Sequence, residues 1–365
     1  MKIAILGTRG IPNNHGGFEQ FAEYLARYLH DNGHEVFVYN SHSHPYQHAL
    51  WNGVHIIHKN DPEDKIGTIG QFAYDFNCIL DSRKRNFEVI LQLGYTSSSI
   101  WGWLLPKKAV IVTNMDGLEW KRSKYSKPVR SFLKFAERLA VKSSDFLISD
   151  SIGIQTYLSE RYRLNSKFIP YGANLFRNPD SRIISSYDVR IESYNMLIAR
   201  LEPENNIEVI LDGFVKSNSK CAFLVIGKHN TKFGEYLKRK YADNENIRFL
   251  GGIYNQNHLD NLRYYSNLYF HGHSVGGTNP SLLEAMASNS LIAAHDNIFN
   301  RSILNNDAFF FKDSVGVKTI LNQKTHNTES ILEANSKKIL TLYSWSKINK
   351  DYERFIQDCL KGKKI

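Results

Sequence analysis

The first 33 residues, MKIAILGTRGIPNNHGGFEQFAEYLARYLHDNG (residues 1–33), contain an apolar run, a glycine-containing loop and an amphipathic segment. Residues 3–6 are uniformly apolar, which predicts a strand buried on both faces of a parallel sheet. Apolar side chains then recur every three or four residues over 17–32, and Gly33 is placed to end this helix. The order of strand, loop and helix is typical of the first unit of a doubly wound α/β domain.

The same alternation continues along the chain. Predicted strands are residues 3–6, 36–39, 54–57, 89–93, 110–113 and 146–149, then 196–199, 223–226, 248–250, 268–270 and 291–294. A polar segment at 174–193 separates the two series and is expected to be a linker. We predict an α/β protein of two tandem Rossmann-like domains, residues 1–173 and 174–343. The last helix, at about residues 344–365, could pack back on the first domain or on the second.

Composition indicates a globular protein of a reducing compartment. Of 365 residues, 42% are hydrophobic and 22% charged, and no apolar run approaches the roughly 18 residues of a membrane span. The apolar run at the N-terminus is too short for a signal peptide, so we expect a cytoplasmic protein. Cys78, Cys221 and Cys359 are far apart and fit no metal or disulfide spacing.

The formal net charge of +10 points to acidic partners, or to a diffuse surplus that aids solubility. Eight basic residues and one acid, Glu137, lie between Lys121 and Lys142. Residues 128–142 read as an amphipathic helix with cations on one side. The cations on one side are Lys127, Arg130, Lys134, Arg138 and Lys142. The apolar residues on the other side are Val129, Phe132, Leu133, Ala136, Leu139 and Ala140. This face suits an anionic membrane surface.

Ligands of open α/β sheets bind beyond the carboxyl ends of the strands, so the loops there are the candidate site. The loop at 7–17 has Gly7, Gly10, Gly16 and Gly17, a spacing that disfavours a nicotinamide dinucleotide. Gly16 and Gly17 open a helix whose free N–H groups suit a phosphate. The alternative is a tight turn that needs positive φ.

Two basic residues follow strands of the second series. Arg200, at the end of residues 196–199, can place two hydrogen bonds on a diphosphate. Its alternative is a surface ion pair with Glu202 or Glu204. Lys228 follows residues 223–226 and has the same two possible roles.

The segment GHSVGGTNPSLLEAMA (residues 272–287) opens another helix at this sheet edge. We predict Asn279 as its N-cap and Pro280 as its first residue, with Gly276, Gly277 and Thr278 beside the free N–H groups. Glu284 is the only residue with a charged side chain in the sequence from 274 to 289. A buried carboxylate needs partners, which ribose hydroxyls would supply. Backbone groups or a neighbouring Arg or His are the alternative.

With these residues in place, the chain resembles glycosyltransferase family 4, retaining enzymes of the GT-B fold in which two Rossmann-like domains close over a sugar nucleotide in a cleft. Gly16 and Gly17 match the glycines that admit the donor diphosphate, Arg200 the phosphate-binding arginine, and Glu284 the second, ribose-binding glutamate. The segments GTRGIP, HGGFE, MDGLEW and HGHSVGGTNPSLLEAM resemble a subgroup of bacterial rhamnosyltransferases that build capsule, O-antigen or related surface polysaccharides.

Two positions depart from the family pattern. Gly276 replaces the first glutamate, which contacts the transferred sugar, and Asn205 replaces a lysine near the diphosphate. Sugar recognition then falls to N–H groups of residues 277–279, or to His271 and His273. Lys228 or Arg9 could replace the missing cation.

The resemblance implies transfer of a sugar with retained anomeric configuration. Arg200 and Lys228 would stabilise charge on the leaving diphosphate without an obligatory metal or cofactor. Asp116 is the candidate on the acceptor side, with capping of its own turn as the alternative. The best-supported donor is dTDP-rhamnose, because a deoxysugar suits a site that lacks an acid at Gly276. The acceptor would be a lipid-linked glycan, with the protein peripheral on the inner face of the plasma membrane.

Two other functions remain possible at this point. One is a GT-B sugar-nucleotide epimerase or hydrolase, which would have no use for the basic helix. The other is a non-catalytic protein that binds a nucleotide sugar or nucleic acid. We expect no nucleic-acid partner, since the basic residues are not interleaved with aromatic ones as in an RNA-binding platform.

Overall fold

A computed structural model describes residues 1–14, 16–122, 125–323 and 328–362. The chain forms two compact units. Unit 1 consists of Met1–Trp120, Tyr125–Tyr171 and Trp345–Ile365, and unit 2 of Lys121–Lys124 and Gly172–Ser344.

Unit 1 is built on an eight-stranded sheet. Its strands are β1 (Lys2–Leu6), β2 (Glu35–Ser41), β3 (Leu50–Trp51), β4 (Val54–Lys59), β5 (Val89–Leu93), β6 (Val110–Asn114), β7 (Phe146–Ser149) and β8 (Lys167–Phe168). The order across the sheet is β3-β4-β2-β1-β5-β6-β7-β8, parallel except for the antiparallel pair β3 and β4. Residues 89–93 are buried throughout, as expected for a strand covered by helices on both faces.

The first five helices belong to unit 1. They are α1 (Gly17–Asp31), α2 (Glu63–Ile66), α3 (Ile69–Ser82), α4 (Lys127–Ser143) and α5 (Ile152–Tyr162), with 3-10 turns at Ser98–Leu104 and Glu119–Lys121. Phe21, Leu25 and Leu29 form the buried stripe of α1. Gly33, with φ of 81°, takes the left-handed conformation just after this helix.

Unit 2 has a six-stranded, fully parallel sheet. Its strands are β9 (Tyr194–Ile198), β10 (Ala222–Ile226), β11 (Ile247–Gly251), β12 (Leu268–His271), β13 (Ile292–His295) and β14 (Phe309–Phe311), in the order β11-β10-β9-β12-β13-β14. Its helices are α6 (Ser181–Ser185), α7 (Ile207–Ser217), α8 (Lys232–Lys240), α9 (Gln256–Tyr264), α10 (Pro280–Ala287), α11 (Ile298–Leu304), α12 (Ser314–Asn322) and α13 (Thr328–Thr341). The core contains Phe214, Phe223 and Phe270, whose neighbouring ring centroids lie 5.1 and 5.5 Å apart.

The last helix, α14 (Trp345–Leu360), packs on α1 in unit 1. Trp345 stacks on Tyr24 with centroids 4.5 Å apart, and Tyr352 lies 4.7 Å from Phe21. Aromatic contacts of this kind add to the area that each ring buries. The structure therefore decides between the two placements that the sequence left open.

The predicted α/β class and the eleven predicted strands are confirmed. The sequence missed β3, β8 and β14, which have two, two and three residues and too little length for periodicity to show. The segment at 174–193, expected to be a linker, contains the short helix α6. Val129 was expected on the buried side of α4 but is 39% exposed, because it lies in the first turn of that helix. Across the residues that the structure describes, no helix combines the length and apolar character needed to cross a membrane.

Each sheet reverses its strand order at a central pair, β1 beside β5 in unit 1 and β9 beside β12 in unit 2. Loops leave such a pair toward opposite faces of the sheet, which opens a crevice at the carboxyl ends of the two strands. The candidate residues of both units lie at or near these two crevices.

Candidate functional site

In unit 2 the loops that follow β9 and β12 are tied to each other. The Asn206 side chain donates from Nδ2 to the Gly272 carbonyl at 2.8 Å, and Ser274 donates from Oγ to the Glu204 carbonyl at 2.7 Å. A Cβ on Gly272 would lie 2.0 Å from the Asn205 carbonyl oxygen. The backbones can therefore approach this closely only because residue 272 is glycine.

Asn205 has a structural role at the position where family 4 has a lysine. It is buried, and its Nδ2 donates to the Arg200 carbonyl oxygen at 2.7 Å. This bond fixes the backbone of the loop from which the Arg200 side chain extends. Arg200 is exposed, and within the described part of the chain it forms no ion pair with Glu202 or Glu204.

Lys228 lies at the start of the loop after β10. Gly227 before it has φ of 153°, and a Cβ there would lie 1.9 Å from the Ala199 carbonyl oxygen, so this loop packs on the one after β9. Lys228 is exposed, with Nζ 5.9 Å from the Tyr254 ring centroid. No carboxylate among the described residues pairs with it.

Two histidines at the end of β12 are held in the neutral form. His271 and His273 stack with ring centroids 4.4 Å apart. Burial lowers the pKa of His271 well below its usual value, and burial, followed by the charge of Arg200, lowers the pKa of His273 to about 3. Neither ring nitrogen of His271 has a hydrogen-bond partner among the described residues. Neutral imidazoles can both donate and accept hydrogen bonds, which suits hydroxyl groups.

The loop that follows β12 leads directly into α10, and the predicted N-cap of this helix is confirmed. Asn279 accepts from the Ser281 N–H at 3.0 Å, and Pro280 is the first helical residue. Gly276 has φ of 134°, a conformation that side chains disfavour, and no atom lies within 4 Å of where its Cβ would be. Gly277 and the buried Thr278 connect it to the cap. The N–H groups of Ser281, Leu282 and Leu283 bond to Asn279, so they are not the free groups that the sequence had suggested. What this loop offers an anion is the open space at Gly276 beside the positive end of the helix dipole.

Glu284 lies on α10 in an ion pair with Arg263, which is the neighbouring-arginine alternative that the sequence left open. Its Oε2 accepts from Nη2 of Arg263 at 2.5 Å, and the Arg263 side chain is only 1% exposed. Arg263 also pairs with Asp260 at 3.0 Å, and burial raises the pKa of Asp260. The Glu284 side chain keeps 17% of its surface exposed. Arg263 therefore fixes the orientation of a carboxylate that still reaches solvent.

In unit 1 the loop after β1 is held by carboxylates and amides of its own unit. Gly7 and Gly10 have φ of 90° and 126°, so these two are the turn glycines, whereas Gly16 is extended with φ of 178° and Gly17 begins α1. Glu19, buried in the first turn of α1, accepts from the Arg9 N–H at 2.8 Å.

The Arg9 side chain is also committed within unit 1. Its guanidinium pairs with Glu63 at 2.6 Å. The loop therefore offers no uncommitted charge at Arg9.

Asp116 lies just after β6 in the left-handed region, with φ of 49°. Its N–H donates to Oδ1 of Asn114 at 2.9 Å, so it is Asn114 that caps this turn through its side chain. Burial, and then the charges of neighbours led by Asp116, raise the pKa of Tyr171 well above its usual value. A strained, half-buried acid at a sheet edge is the kind of position found in active sites.

No cluster of three or more His, Cys, Asp or Glu side chains suited to a metal ion occurs in residues 1–14, 16–122, 125–323 and 328–362.

The comparisons with known proteins divide the chain as its fold does. Residues 1–174 match the family described as "Domain of unknown function (DUF1972)", and residues 192–324 match "Glycosyl transferases group 1". No curated protein sequence matches the chain.

Solved glycosyltransferase structures share the whole fold at low sequence identity. Sucrose-phosphate synthase from Thermosynechococcus elongatus has a TM-score of 0.80 at 14% identity, with 99% of each chain covered. Anabaena HepE in complex with UDP and glucose has a TM-score of 0.77 at 15% identity, covering 98% of this chain and 99% of HepE. Trehalose 6-phosphate synthase from Burkholderia multivorans has a TM-score of 0.70 at 12% identity, with 99% of each chain covered. The predicted GT-B fold is thereby confirmed, and residues 192–324, within unit 2, match the glycosyltransferase group 1 family.

Proposed function

We propose that the chain is a retaining glycosyltransferase that transfers L-rhamnose from dTDP-rhamnose to a lipid-linked glycan acceptor in the synthesis of a bacterial surface polysaccharide. The observation that carries the proposal is the pair of uncommitted cations, Arg200 and Lys228, on loops at the unit 2 crevice where the N-terminus of α10 also points. Cations and the positive end of a helix dipole around one crevice form a site for a diphosphate.

The chemistry follows from where charge develops. Breaking the bond from sugar to diphosphate leaves negative charge on the leaving group and positive character on the anomeric carbon. Arg200 and Lys228 stabilise the leaving group, since preoriented cations act most strongly on charge that appears in the transition state. Asp116 binds the acceptor hydroxyl or stabilises the anomeric carbon. No metal ion or cofactor is required in this scheme.

Donor recognition falls to the segment from His273 to Glu284. We assign the ribose hydroxyls to Glu284, whose carboxylate Arg263 orients, and the diphosphate and sugar to the N–H groups of residues 276–279. Gly276 leaves open space where family 4 enzymes have an acid, which favours a deoxysugar with fewer hydroxyls to bind. Gly16 and Gly17 remain predicted contacts of the donor in unit 1. The complexes of HepE with UDP and with UDP-glucose support a nucleotide sugar as substrate.

Thermal stabilisation against a ligand panel tests the donor. The panel contains dTDP-rhamnose, UDP-glucose, GDP-mannose and ADP-glucose, with NAD and a short RNA as controls. Selective stabilisation by dTDP-rhamnose is expected, and NMR of the product's anomeric proton then reports whether configuration is retained. Selective stabilisation by another nucleotide sugar would replace the donor, and stabilisation by RNA alone would contradict the proposal.

We further propose that α4 places unit 1 on an anionic membrane. Lys127, Lys134, Arg138 and Lys142 are all exposed along this helix. Phe135 beside them is 52% exposed, and Trp103, in the turn that packs against α4, is 75% exposed. Cations with exposed aromatic side chains match the interface of an anionic bilayer.

Vesicle sedimentation tests this surface. Reversal of charge in the double variant Lys127→Glu/Lys142→Glu should reduce binding to phosphatidylglycerol-containing vesicles. A matched control, Lys84→Glu/Lys232→Glu, changes the net charge equally at exposed sites away from α4. Equal losses in both variants would mean that diffuse charge, and not α4, is responsible.

A further inference from the structure

A cavity of about 270 Å³ lies in unit 1 between α4, α5 and the turn that contains Trp120. Three cations line it: Lys134 and Arg138 from α4 and Arg161 from α5. All three are exposed, and in the described part of the chain none forms an ion pair with a carboxylate. These three cations outnumber the one acid that lines the cavity, Glu137. The resulting positive potential is reduced when an anion binds.

The other wall of this cavity is preorganised by one buried acid. Glu137 is 1% exposed and accepts hydrogen bonds from the hydroxyls of Tyr157 at 2.8 Å and Tyr162 at 2.5 Å, and from Nε1 of Trp120 at 3.1 Å. Burial and the bond to Glu137 raise the pKa of Tyr162 to about 12, so its hydroxyl remains a donor. With the Tyr95 hydroxyl, which donates to Oε2 at 3.4 Å, the carboxylate holds four aromatic side chains in position. It forms no ion pair with the three cations.

The rings and the cations meet at one point. Nζ of Lys134 lies 4.4 Å from the Trp120 ring centroid. A ligand with a phosphate on one side and a carbon skeleton on the other would contact both kinds of side chain. The volume lies just below the range of about 300–1,000 Å³ for sites that hold drug-sized ligands, which suits a single sugar with its phosphate.

We propose that this cavity binds a phosphorylated monosaccharide, with the phosphate on Lys134, Arg138 and Arg161 and the sugar against Trp120 and Tyr157. Because the cavity lies on the helix assigned to the membrane surface, its natural ligand is the phosphate-linked head group of the acceptor, an assignment that rests on the proposed function. The binding chemistry itself does not depend on that function.

Calorimetric titration of the full chain with glucose 1-phosphate tests the cavity, with inorganic phosphate and glucose as separate titrants. Glucose 1-phosphate should bind more tightly than either part. Arg138→Ala and Arg161→Ala should each weaken its binding about tenfold, as expected for loss of a charge-assisted hydrogen bond. Both side chains are exposed, so both variants should fold.

The matched control is Arg163→Asn, which removes a cation two residues from Arg161 that does not line the cavity. Arg163 has φ of 55°, a conformation that asparagine tolerates. Its binding of glucose 1-phosphate should stay within about twofold of the wild type. Equal weakening in Arg161→Ala and Arg163→Asn would overturn the proposal, because it would show that overall charge alone attracts the ligand.

Vesicles carrying a polyprenyl diphosphate-linked monosaccharide distinguish a lipid head group from a free sugar phosphate. Loss of vesicle binding in Arg161→Ala identifies the lipid-linked form, whereas loss of glucose 1-phosphate binding alone identifies the free one. Nucleotide-sugar stabilisation of the wild type is measured in parallel. If nucleotide sugars bind and glucose 1-phosphate does not, the cavity assignment fails and the transferase stands; the reverse result leaves the cavity and removes the transferase.

Discussion

Both sheets reverse their strand order at a central pair, but the charged residues at the two crevices are arranged differently. At the crevice beside β1, Glu19 accepts from the loop backbone and Arg9 pairs with Glu63. At the crevice beside β9, Arg200 and Lys228 have no carboxylate partner in the described residues. An anion therefore gains more electrostatic stabilisation at the crevice of unit 2 than at that of unit 1.

The largest expected effect concerns the committed charges of unit 2. Arg263→Met should lower the free energy of unfolding by about 3–5 kcal/mol, because it leaves Glu284 and Asp260 without their buried counter-charge. Urea unfolding measures this. The control is Arg248→Met, a partly exposed arginine whose Nη1 lies 3.6 Å from the fully solvated Asp188 carboxylate, and this change should cost less than about 1 kcal/mol. Similar losses in both variants would show that the Arg263 pair is no stronger than a surface pair.

Substitution of Arg200, which has no carboxylate partner in the described residues, should reduce activity and leave stability nearly unchanged. Arg200→Ala should reduce turnover of the nucleotide sugar about 100- to 1,000-fold, the usual loss when one stabilising group of a transition state is removed. Its stability should change little, because the side chain is exposed and unpaired. Turnover and urea unfolding are measured together, with Arg190→Ala as an exposed arginine control. A large loss of stability in Arg200→Ala would make this residue structural.

A smaller effect is expected in unit 1, where the buried carboxyl of Asp75 should make the stability depend on pH. Burial raises the pKa of Asp75 to about 6. The Ser97 hydroxyl, which donates to Oδ2 at 2.5 Å, and the charge of Arg9 lower this pKa in part, whereas the charges of Asp61 and Glu63 raise it. The folded state thus binds this proton more tightly than the unfolded state, where the pKa is about 3.9. Its stabilising contribution is present below about pH 4 and is lost as the pH rises to about 6.

Urea unfolding of wild type and Asp75→Asn across this pH range measures the contribution. The difference in stability between the two should change with pH by roughly 1.4 kcal/mol for each unit by which the pKa is raised. A constant difference between the two proteins would show that Asp75 titrates normally.

The smallest expected effect is that the two histidines of the proposed donor site do not titrate near neutral pH. Because the pKa of His273 is about 3 and that of His271 is also far below its usual value, both rings stay neutral near pH 7. Nucleotide-sugar affinity should therefore vary less than about twofold between about pH 6 and pH 8. Calorimetry at several pH values measures it, and a sharp rise in affinity on acidification would mean that a histidine becomes charged in the complex.

Much of the fold could be predicted because the relevant signals are local. Apolar runs predicted eleven strands, and the pair Asn279 and Pro280 predicted the N-cap and the first residue of α10. The candidate loops followed from the strands, since parallel sheets bind ligands at their carboxyl ends. Strands as short as β8, with two residues, leave no such signal.

The partners of charged residues could not be predicted in the same way. In the sequence Glu137 is notable only as the one acid of a basic stretch. In the structure its carboxylate accepts hydrogen bonds from the Tyr157 hydroxyl of α5 and from Nε1 of Trp120. Arg263 carried no motif at all. Helical spacing shows which face a side chain occupies but not what a second element brings to that face.

The sequence alone determined the class of fold and the positions of the candidate loops after the strands, because burial periodicity and turn residues act over a few positions. Only the tertiary structure decided which charges are neutralised. Arg263 and Glu284 lie 21 residues apart in the chain and 2.5 Å apart in space. The free energy of a charge depends on its neighbours within a few ångströms, so packing alone separates Arg263, buried in its ion pairs, from Arg200, which is exposed and has no carboxylate partner in the described residues.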